Sequence, residues 1–124
     1  MVKGYTKGAR SERELANLLV DKGFLVVRAA GSGVYQTAPD LLAFRTHEYY
    51  AFECKAWNSE RLSLRKEQHS LLKEWEQRTG LSVFVAWKVP RRGWLFIRPS
   101  ELNEKAAITL ERASLINRTI DQLV

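Results

Sequence analysis

The sequence has little of what exported and membrane-bound proteins carry. Its single cysteine, Cys54, cannot form an intramolecular disulfide, which fits a reducing, cytoplasmic type of compartment. No apolar run approaches the ~20 residues that a membrane span needs. The opening stretch MVKGYTKGARSERE has no apolar core of a signal peptide. We therefore expect no membrane partner. Repeats, linkers and low-complexity segments are also lacking, so residues 1–124 are expected to form one domain.

Positive charge is what the sequence has in excess. Its 20 Lys and Arg residues outnumber 14 Asp and Glu residues, which gives a net charge of +6 and a pI near 9.7. This charge suits a polyanionic partner, nucleic acid before membrane, although basicity alone is a weak indicator. A chain of 124 residues buries enough surface to fold without disulfides or a structural metal.

Local patterns predict a fold in which strands surround a helical crossover. Residues 9–22 have helical periodicity and end at Gly23. Strands are predicted at 24–29, 40–45, 48–56, 81–89 and 94–98, and an amphipathic helix at 63–79. Beyond Pro99 the pattern weakens: Ser100 is a candidate cap of a short helix, 107–111 is extended, and Ser114 begins a terminal helix.

The order of these elements predicts the fold class. Three strands joined by short connections form an antiparallel meander, and the helical crossover then places the fourth strand parallel to the third. A terminal hairpin adds the fifth. The expected architecture is α/β: a central mixed five-stranded sheet flanked by helices.

Charged residues interrupt an apolar stretch, APDLLAFRTHEYYAFECKAW, at residues 38–57. Glu53 and Lys55 project to one face because residues two apart on a strand share a face. If Thr46 and His47 are the central turn residues, Asp40 falls directly opposite Glu53. An oxygen-only pair of carboxylates suits Mg²⁺ or Mn²⁺. The alternative is an Asp/Glu pair on a solvated sheet, relieved by Lys55.

Two polar residues lie on the apolar faces of the predicted helices. Glu12 lies one turn before Leu15 and could approach the sheet, adding a carboxylate near the metal. It could equally be an acid that the helix macrodipole stabilises. Gln68 shares a face with Leu71 and Leu72. It either orients the charged site or satisfies a carbonyl at the edge of the sheet.

Several of these segments together resemble a known family. Pro39–Asp40 and, twelve residues further on, Glu53-Cys54-Lys55 match the signature of the PD-(D/E)XK nuclease superfamily. The larger set is more specific: KGARSERELANLL, GFLVVRAAGSG, PDLLAF, YYAFECKAW and VAWKVPRRGWLF, in this order. Over residues ~7–102 the set resembles the archaeal-type Holliday junction resolvases. The resemblance implies a restriction-endonuclease-like fold. The stretch VYQTA between GSG and Pro39 departs from the family pattern, and the segments that carry the resemblance end before residues 104–124.

The resemblance implies a Mg²⁺-dependent endonuclease, with Mn²⁺ as a substitute, that hydrolyses phosphodiesters in opposed strands of four-way DNA junctions and leaves 5′-phosphate ends. It has no small-molecule substrate. By the same resemblance Glu12, Asp40 and Glu53 form the acidic set, and the backbone carbonyl of Cys54 completes the metal ligands. Lys55 is the lysine of the signature. Ser32 corresponds to a loop serine near the scissile phosphate, although GSG is also an ordinary turn.

The resemblance also implies a homodimer, and it matches Arg10, Arg13 and Arg28 to basic positions of the family. Clusters of basic residues elsewhere in the chain could contact DNA together, although any one of them is most often a solvated face. The basic residues expected to contact phosphates are Lys3, Lys7, Arg10, Arg13, Arg28, Arg61, Arg65, Lys66, Arg91 and Arg92. Trp57 is a candidate for stacking on a sugar or base. Two cuts in opposed strands require two sites, so a twofold dimer is expected. The final strand and residues 104–124, with Leu115, Ile116, Ile120 and Leu123, are candidates for its interface. The expected location is the cytoplasm, at the nucleoid, or the host cytoplasm for a viral protein.

Two other functions remain open at this level. Another nuclease of the same superfamily, acting in nicking or repair, would carry the same acidic pair and lysine. A basic DNA-binding module with an inactive site is the alternative from a different class. The intact Asp40, Glu53 and Lys55 argue against it.

Overall fold

The protein is described from a computed structural model, which covers residues 2–29, 37–116 and 118–123, with side chains from residue 9 onward. The helices are α1 (Val2–Asp21), α2 (Lys66–Thr79), α3 (Leu110–Ile116) and α4 (Ile120–Leu123), together with a 3₁₀ turn at Pro99–Glu101. The strands are β1 (Leu25–Arg28), β2 (Leu41–Arg45), β3 (Glu48–Ala56), β4 (Arg61–Ser63), β5 (Ser82–Val89), β6 (Gly93–Ile97) and β7 (Ala107–Thr109). Within the described residues, no helix has the length and apolar character needed to cross a bilayer.

The central sheet has five strands in the order β1-β2-β3-β5-β6. Neighbouring strands are antiparallel except β3 and β5, which run parallel because α2 carries the chain back between them. The predicted mixed sheet, with its meander, helical crossover and terminal hairpin, is confirmed.

The register of the β2–β3 hairpin determines where the charged residues lie. Arg45 pairs with Glu48, so Thr46 and His47 are the turn residues, as predicted. His47 adopts a φ of 65°, which supplies the left-handed backbone that a tight hairpin requires. Leu41 pairs with Phe52. Asp40, one residue earlier, therefore lies opposite Glu53.

Each face of the sheet has its own buried core. On one face, Leu15 and Leu19 of α1 pack with Phe52, Phe84 and Phe96 of the sheet. On the opposite face, Leu72 of α2 packs with Val83, Val85 and Trp87. Glu53 and Lys55 pair in register with Val85 and Trp87, so both residues belong to the α2 face.

Some elements differ from the prediction because they depend on distant pairing. The helix predicted over 63–79 begins at Lys66, since Arg61–Ser63 forms β4 and pairs with β7. Extended chain at 107–111 is confirmed only for Ala107–Thr109. The first helix, predicted from residue 9, already begins at Val2.

The segment after Pro99 also differs from the prediction. Arg98, not Ser100, is the cap residue of the 3₁₀ turn. Ser114 lies inside α3, because the tail forms two short helices instead of one.

Candidate active site

Asp40 and Glu53 form a pair of acidic side chains at the end of the sheet. Asp40 precedes β2, and its Oδ2 accepts a hydrogen bond of 2.8 Å from the backbone N–H of Cys54. Glu53 lies inside β3 and is only 7% exposed. The hydrogen bond fixes the Asp40 carboxylate against the strand that carries Glu53. The two acids are thus held together by the backbone of one hairpin.

The electrostatics of this pair are unfavourable for two negative charges. Burial, and then the charge of Asp40, raise the pKa of Glu53 to about 8, against an opposing effect of Lys55. Burial also raises the pKa of Asp40, partly offset by the hydrogen bond from Cys54. A buried pair of this kind needs a proton or a cation between its members. Oxygen ligands and a shortage of positive charge fit a hard divalent cation, so the donor set suits Mg²⁺ or Mn²⁺.

Gln68 reaches the acidic pair from the first turns of α2. Its Nε2 donates a hydrogen bond to Oε2 of Glu53. Of the two roles considered from the sequence, the structure therefore shows contact with the charged site, and not with a carbonyl at the sheet edge. The bond orients the carboxylate of Glu53.

Lys55 adds positive charge on the same face. Its charge lowers the pKa values of both Glu53 and Asp40, although burial outweighs this effect at each of them. Its ammonium lies 5.6 Å from the centre of the Trp57 ring. No carboxylate of the described residues lies within ion-pair distance of it. Lys55 is therefore near the acidic pair without being neutralised by it.

The carboxylate of Glu12 is paired with Arg28. Its Oε1 accepts a hydrogen bond of 2.9 Å from Nε of Arg28, on the α1 face of the sheet. Within residues 9–29, 37–116 and 118–123, no three His, Cys, Asp or Glu side chains form a cluster that could hold a metal ion among them. The place of Glu12 in the acidic set stays a prediction, since α1 packs on the face of the sheet opposite Glu53. Its charge still helps to raise the pKa of Asp40 and of Glu53.

The predicted DNA-binding residues are distributed over several elements. Ser32 lies outside the described residues, as do the side chains of Lys3 and Lys7. Arg10 and Arg13 are exposed on α1, and Arg61 is exposed on β4. Arg28 is also exposed, at the end of β1, and its Nε donates a hydrogen bond to Glu12.

Four of the basic residues lie at the same end of the sheet as the acidic pair. Arg65 and Lys66 begin α2, one turn or less from Gln68, and both are exposed. Arg91 and Arg92 form the turn after β5, which runs parallel to β3 and so ends beside it. Arg92 also donates a hydrogen bond of 3.2 Å to Ser114. This end of the sheet combines buried acids with exposed cations.

The sequence did not indicate the role of Trp87. Its indole N–H donates a hydrogen bond of 3.0 Å to the carbonyl of Trp57 and so fixes the chain directly after β3. Trp87 pairs in register with Lys55, and the strand alternation therefore contained the signal that the two share a face.

Comparison with known proteins gives a consistent family. Residues 3–122 match the family model of the archaeal Holliday junction resolvase Hjc. The chain is 37% identical over 115 residues to the crossover junction endodeoxyribonuclease Hjc of Methanocaldococcus jannaschii, covering 90% of this chain and 82% of the relative. It is 35% identical over 101 residues to that of Archaeoglobus fulgidus, covering 81% and 74%.

A solved structure supports the same assignment. The Hjc of Archaeoglobus fulgidus, titled a Holliday junction resolvase, superposes with a TM-score of 0.76 at 31% identity and covers 88% of each chain. The fold and the sequence match over nearly the whole chain agree. The chain belongs to the archaeal Holliday junction resolvase family.

Proposed function

We propose that this chain is a Mg²⁺-dependent endonuclease that resolves four-way DNA junctions by cutting opposed strands. The observation that carries the proposal is the facing pair of Asp40 and Glu53, of which Glu53 is buried and Asp40 half-buried, and neither forms an ion pair with a cation of the described residues. Its relatives are named crossover junction endodeoxyribonucleases. Such a substrate implies a location with the cell's DNA, in the cytoplasm.

In this proposal, Asp40, Glu53 and the backbone carbonyl of Cys54 hold the metal. When bound, Mg²⁺ supplies charge stabilisation to the phosphoryl oxygens and lowers the pKa of bound water. Gln68 keeps the carboxylate of Glu53 in one orientation through its hydrogen bond. Lys55, which is not consumed in an ion pair, is available to a phosphate oxygen or to the attacking water. Hydrolysis then leaves a 5′-phosphate and a 3′-hydroxyl.

The remaining groups support the site from outside. Glu12 acts through Arg28, holding that guanidinium beside the acidic end of the sheet. Ser32, which precedes Pro39 in the sequence, is proposed to donate a hydrogen bond to the phosphate. The exposed side chains of Arg65, Lys66 and Arg91 would contact the phosphate backbones of the junction arms. Such contacts position DNA without reading its sequence.

Cleavage assays on defined substrates test the proposal. We expect a four-way junction to be cut in Mg²⁺ or Mn²⁺ and to remain intact in EDTA, whereas linear duplex and flap substrates are left uncut. Equal cleavage of flaps or nicking of linear duplex would instead indicate another nuclease of the superfamily. Binding of the junction without cleavage in either metal would indicate an inactive DNA-binding module.

A homodimer forms part of the proposal. One chain supplies one such site in this proposal, and paired cuts in opposed strands require two sites related by a twofold axis. Among the described residues, an apolar area of the sheet is exposed on the α2 face of β1 to β3. Leu25 pairs with Phe44, which pairs with Tyr49, and Val27 pairs with Leu42 in the next row. Leu25, Val27 and Tyr49 are 77%, 50% and 53% exposed.

This exposed apolar area is a stronger candidate interface than the tail suggested by the sequence. Ile116, Ile120 and Leu123 are partly buried against the chain's own core, which reduces the apolar surface that they offer to a partner. Leu115 alone of the four tail candidates is highly exposed, at 81%. Exposed apolar side chains in adjacent rows of a sheet mark an interaction surface, whereas a single exposed leucine does not.

Sedimentation of two matched variants tests the location of the interface. We expect Leu25→Glu to weaken dimerisation at least about thirtyfold, which corresponds to ~2 kcal/mol, because it places a charge in a desolvated interface. Leu115→Glu introduces the same change at a site that is more exposed, and it should leave the dimer intact. If Leu115→Glu dissociates the dimer and Leu25→Glu does not, the interface lies in the tail.

A further inference from the structure

Trp57 occupies an unusual position for an aromatic residue. It directly follows β3 and is 38% exposed, one of the few large apolar side chains at the surface of the described residues. Its backbone is nevertheless tied to the core, because the fully buried Trp87 donates a hydrogen bond to its carbonyl. The anchored backbone keeps part of the apolar ring of Trp57 in contact with water, which is unfavourable. The position therefore calls for a reason other than core packing.

The ring of Trp57 faces Lys55. The distance of 5.6 Å from the ammonium nitrogen to the ring centre is within the range of a cation–π contact. Lys55 has no ion pair with a carboxylate of the described residues, although Glu53 and Asp40 are close enough to interact with its charge. The ring thus offers the ammonium a partner that carries no net negative charge. A carboxylate partner would instead hold the ammonium where a metal belongs.

We infer that Trp57 is a positioning residue for Lys55 in the reaction proposed above. The ring holds the ammonium beside the acidic pair but away from its oxygens, so that Asp40 and Glu53 remain available to a metal and Lys55 remains available to the phosphate. Stacking on a nucleotide, the role considered from the sequence, is not required. The inference rests on the proposed function, because it assigns Lys55 a task in phosphodiester cleavage.

The experiment separates the rate of cleavage from the affinity for DNA. Trp57→Leu removes the π-system, and Trp57→Phe keeps a weaker one. Single-turnover cleavage at saturating protein is measured in Mg²⁺, and the Kd for the same junction is measured in Ca²⁺. We expect Trp57→Leu to slow cleavage about tenfold, with the Kd within about twofold of wild type, and Trp57→Phe to restore most of the rate.

Trp94→Leu is the matched control. Its ring lies 5.4 Å from the ammonium of Lys88, on the other face of the sheet, so the variant loses a similar contact away from the acidic pair. It should cleave at the wild-type rate. An equal loss of rate in Trp94→Leu, or none in Trp57→Leu, would overturn the inference. A rise in the Kd of Trp57→Leu with an unchanged saturating rate would also overturn it, in favour of stacking on DNA.

A second measurement does not depend on cleavage. Lys55→Met should change the tryptophan fluorescence of the protein, and the change should vanish in the Trp57→Phe background. This result decides the contact even if Trp57→Leu unfolds. If wild type itself fails to cut any junction, the proposed function fails, and the fluorescence result still reports whether Trp57 and Lys55 are in contact.

Discussion

Asp40→Asn is expected to lower the rate of junction cleavage more than about a thousandfold while leaving junction binding unchanged. The amide cannot supply the negative charge that a hard cation needs, and the loss of several kcal/mol of transition-state stabilisation corresponds to this factor. Its oxygen can still accept the hydrogen bond from the N–H of Cys54, so the hairpin should keep its geometry. The measurements are single-turnover cleavage in Mg²⁺ and junction Kd in Ca²⁺.

Asp121→Asn provides the matched control for that loss of charge. Asp121 is exposed on α4 and pairs with Lys22, which directly follows the C-terminal end of α1. This variant makes the same change in net charge and should cleave like wild type. If Asp40→Asn retains more than about a tenth of the wild-type rate, the aspartate is not a metal ligand and the proposed site is wrong.

The acidic hairpin could be predicted from the sequence because its geometry is local. One turn at Thr46 and His47 sets the pairing of Arg45 with Glu48, and counting outward along two strands brings Asp40 opposite Glu53. A slip of one residue in the pairing would move the apolar side chains of the hairpin to the opposite face of the sheet. The alternation of side chains along the two strands therefore specifies the register. The five-stranded sheet followed from the same reasoning, since β2 and β3, and likewise β5 and β6, are joined by short turns, and α2 lies between β3 and β5.

The parts that could not be predicted depend on contacts between distant segments. The pairing of Leu62 with Ile108 forms a second sheet that neither short strand indicates alone. Glu12 lies on the apolar face of α1, as expected, but its partner was set by which face of the sheet α1 covers. The packing of Ile120 and Leu123 against the core was likewise not visible as periodicity, because their helix is only one turn long.

The acidic pair should make the metal-free protein sensitive to pH, and the sign follows from Glu53. Its pKa in the folded protein is about 8, above the ordinary value of 4.5, because of burial and the charge of Asp40. Between these values the folded state keeps a proton that the unfolded state has lost. Stability should therefore fall as pH rises from about 4.5 to about 8, by up to ~1.4 kcal/mol per pH unit, and level off above that.

Glu53→Gln is expected to remove this pH dependence and to stabilise the metal-free protein. The amide is neutral at every pH, and its oxygen can still accept the hydrogen bond from Gln68. At pH 8 in EDTA we expect the variant to exceed wild type by an unfolding free energy on the order of 3 kcal/mol. Urea unfolding at pH 5, 6.5 and 8 measures this difference. The same variant should be inactive in cleavage, because the ionised carboxylate that destabilises the metal-free protein is the one proposed to bind the metal.

The effect of Mg²⁺ on thermal stability should also depend on the protonation of Glu53. Metal binding must displace the proton from Glu53, so Mg²⁺ should raise the Tm of wild type more at pH 8 than at pH 6 and leave the Tm of Glu53→Gln unchanged.

Glu101 is the control, because its pKa is shifted in the opposite direction to that of Glu53. Burial acts to raise its pKa, but hydrogen bonds from Arg118 and the backbone of Arg98, with their charges, outweigh it and lower the pKa. Glu101→Gln should therefore lower stability at neutral pH. If both substitutions destabilise the protein at pH 8, Glu53 is stabilised by its surroundings in the folded state, and the physical argument for a metal between Glu53 and Asp40 is lost.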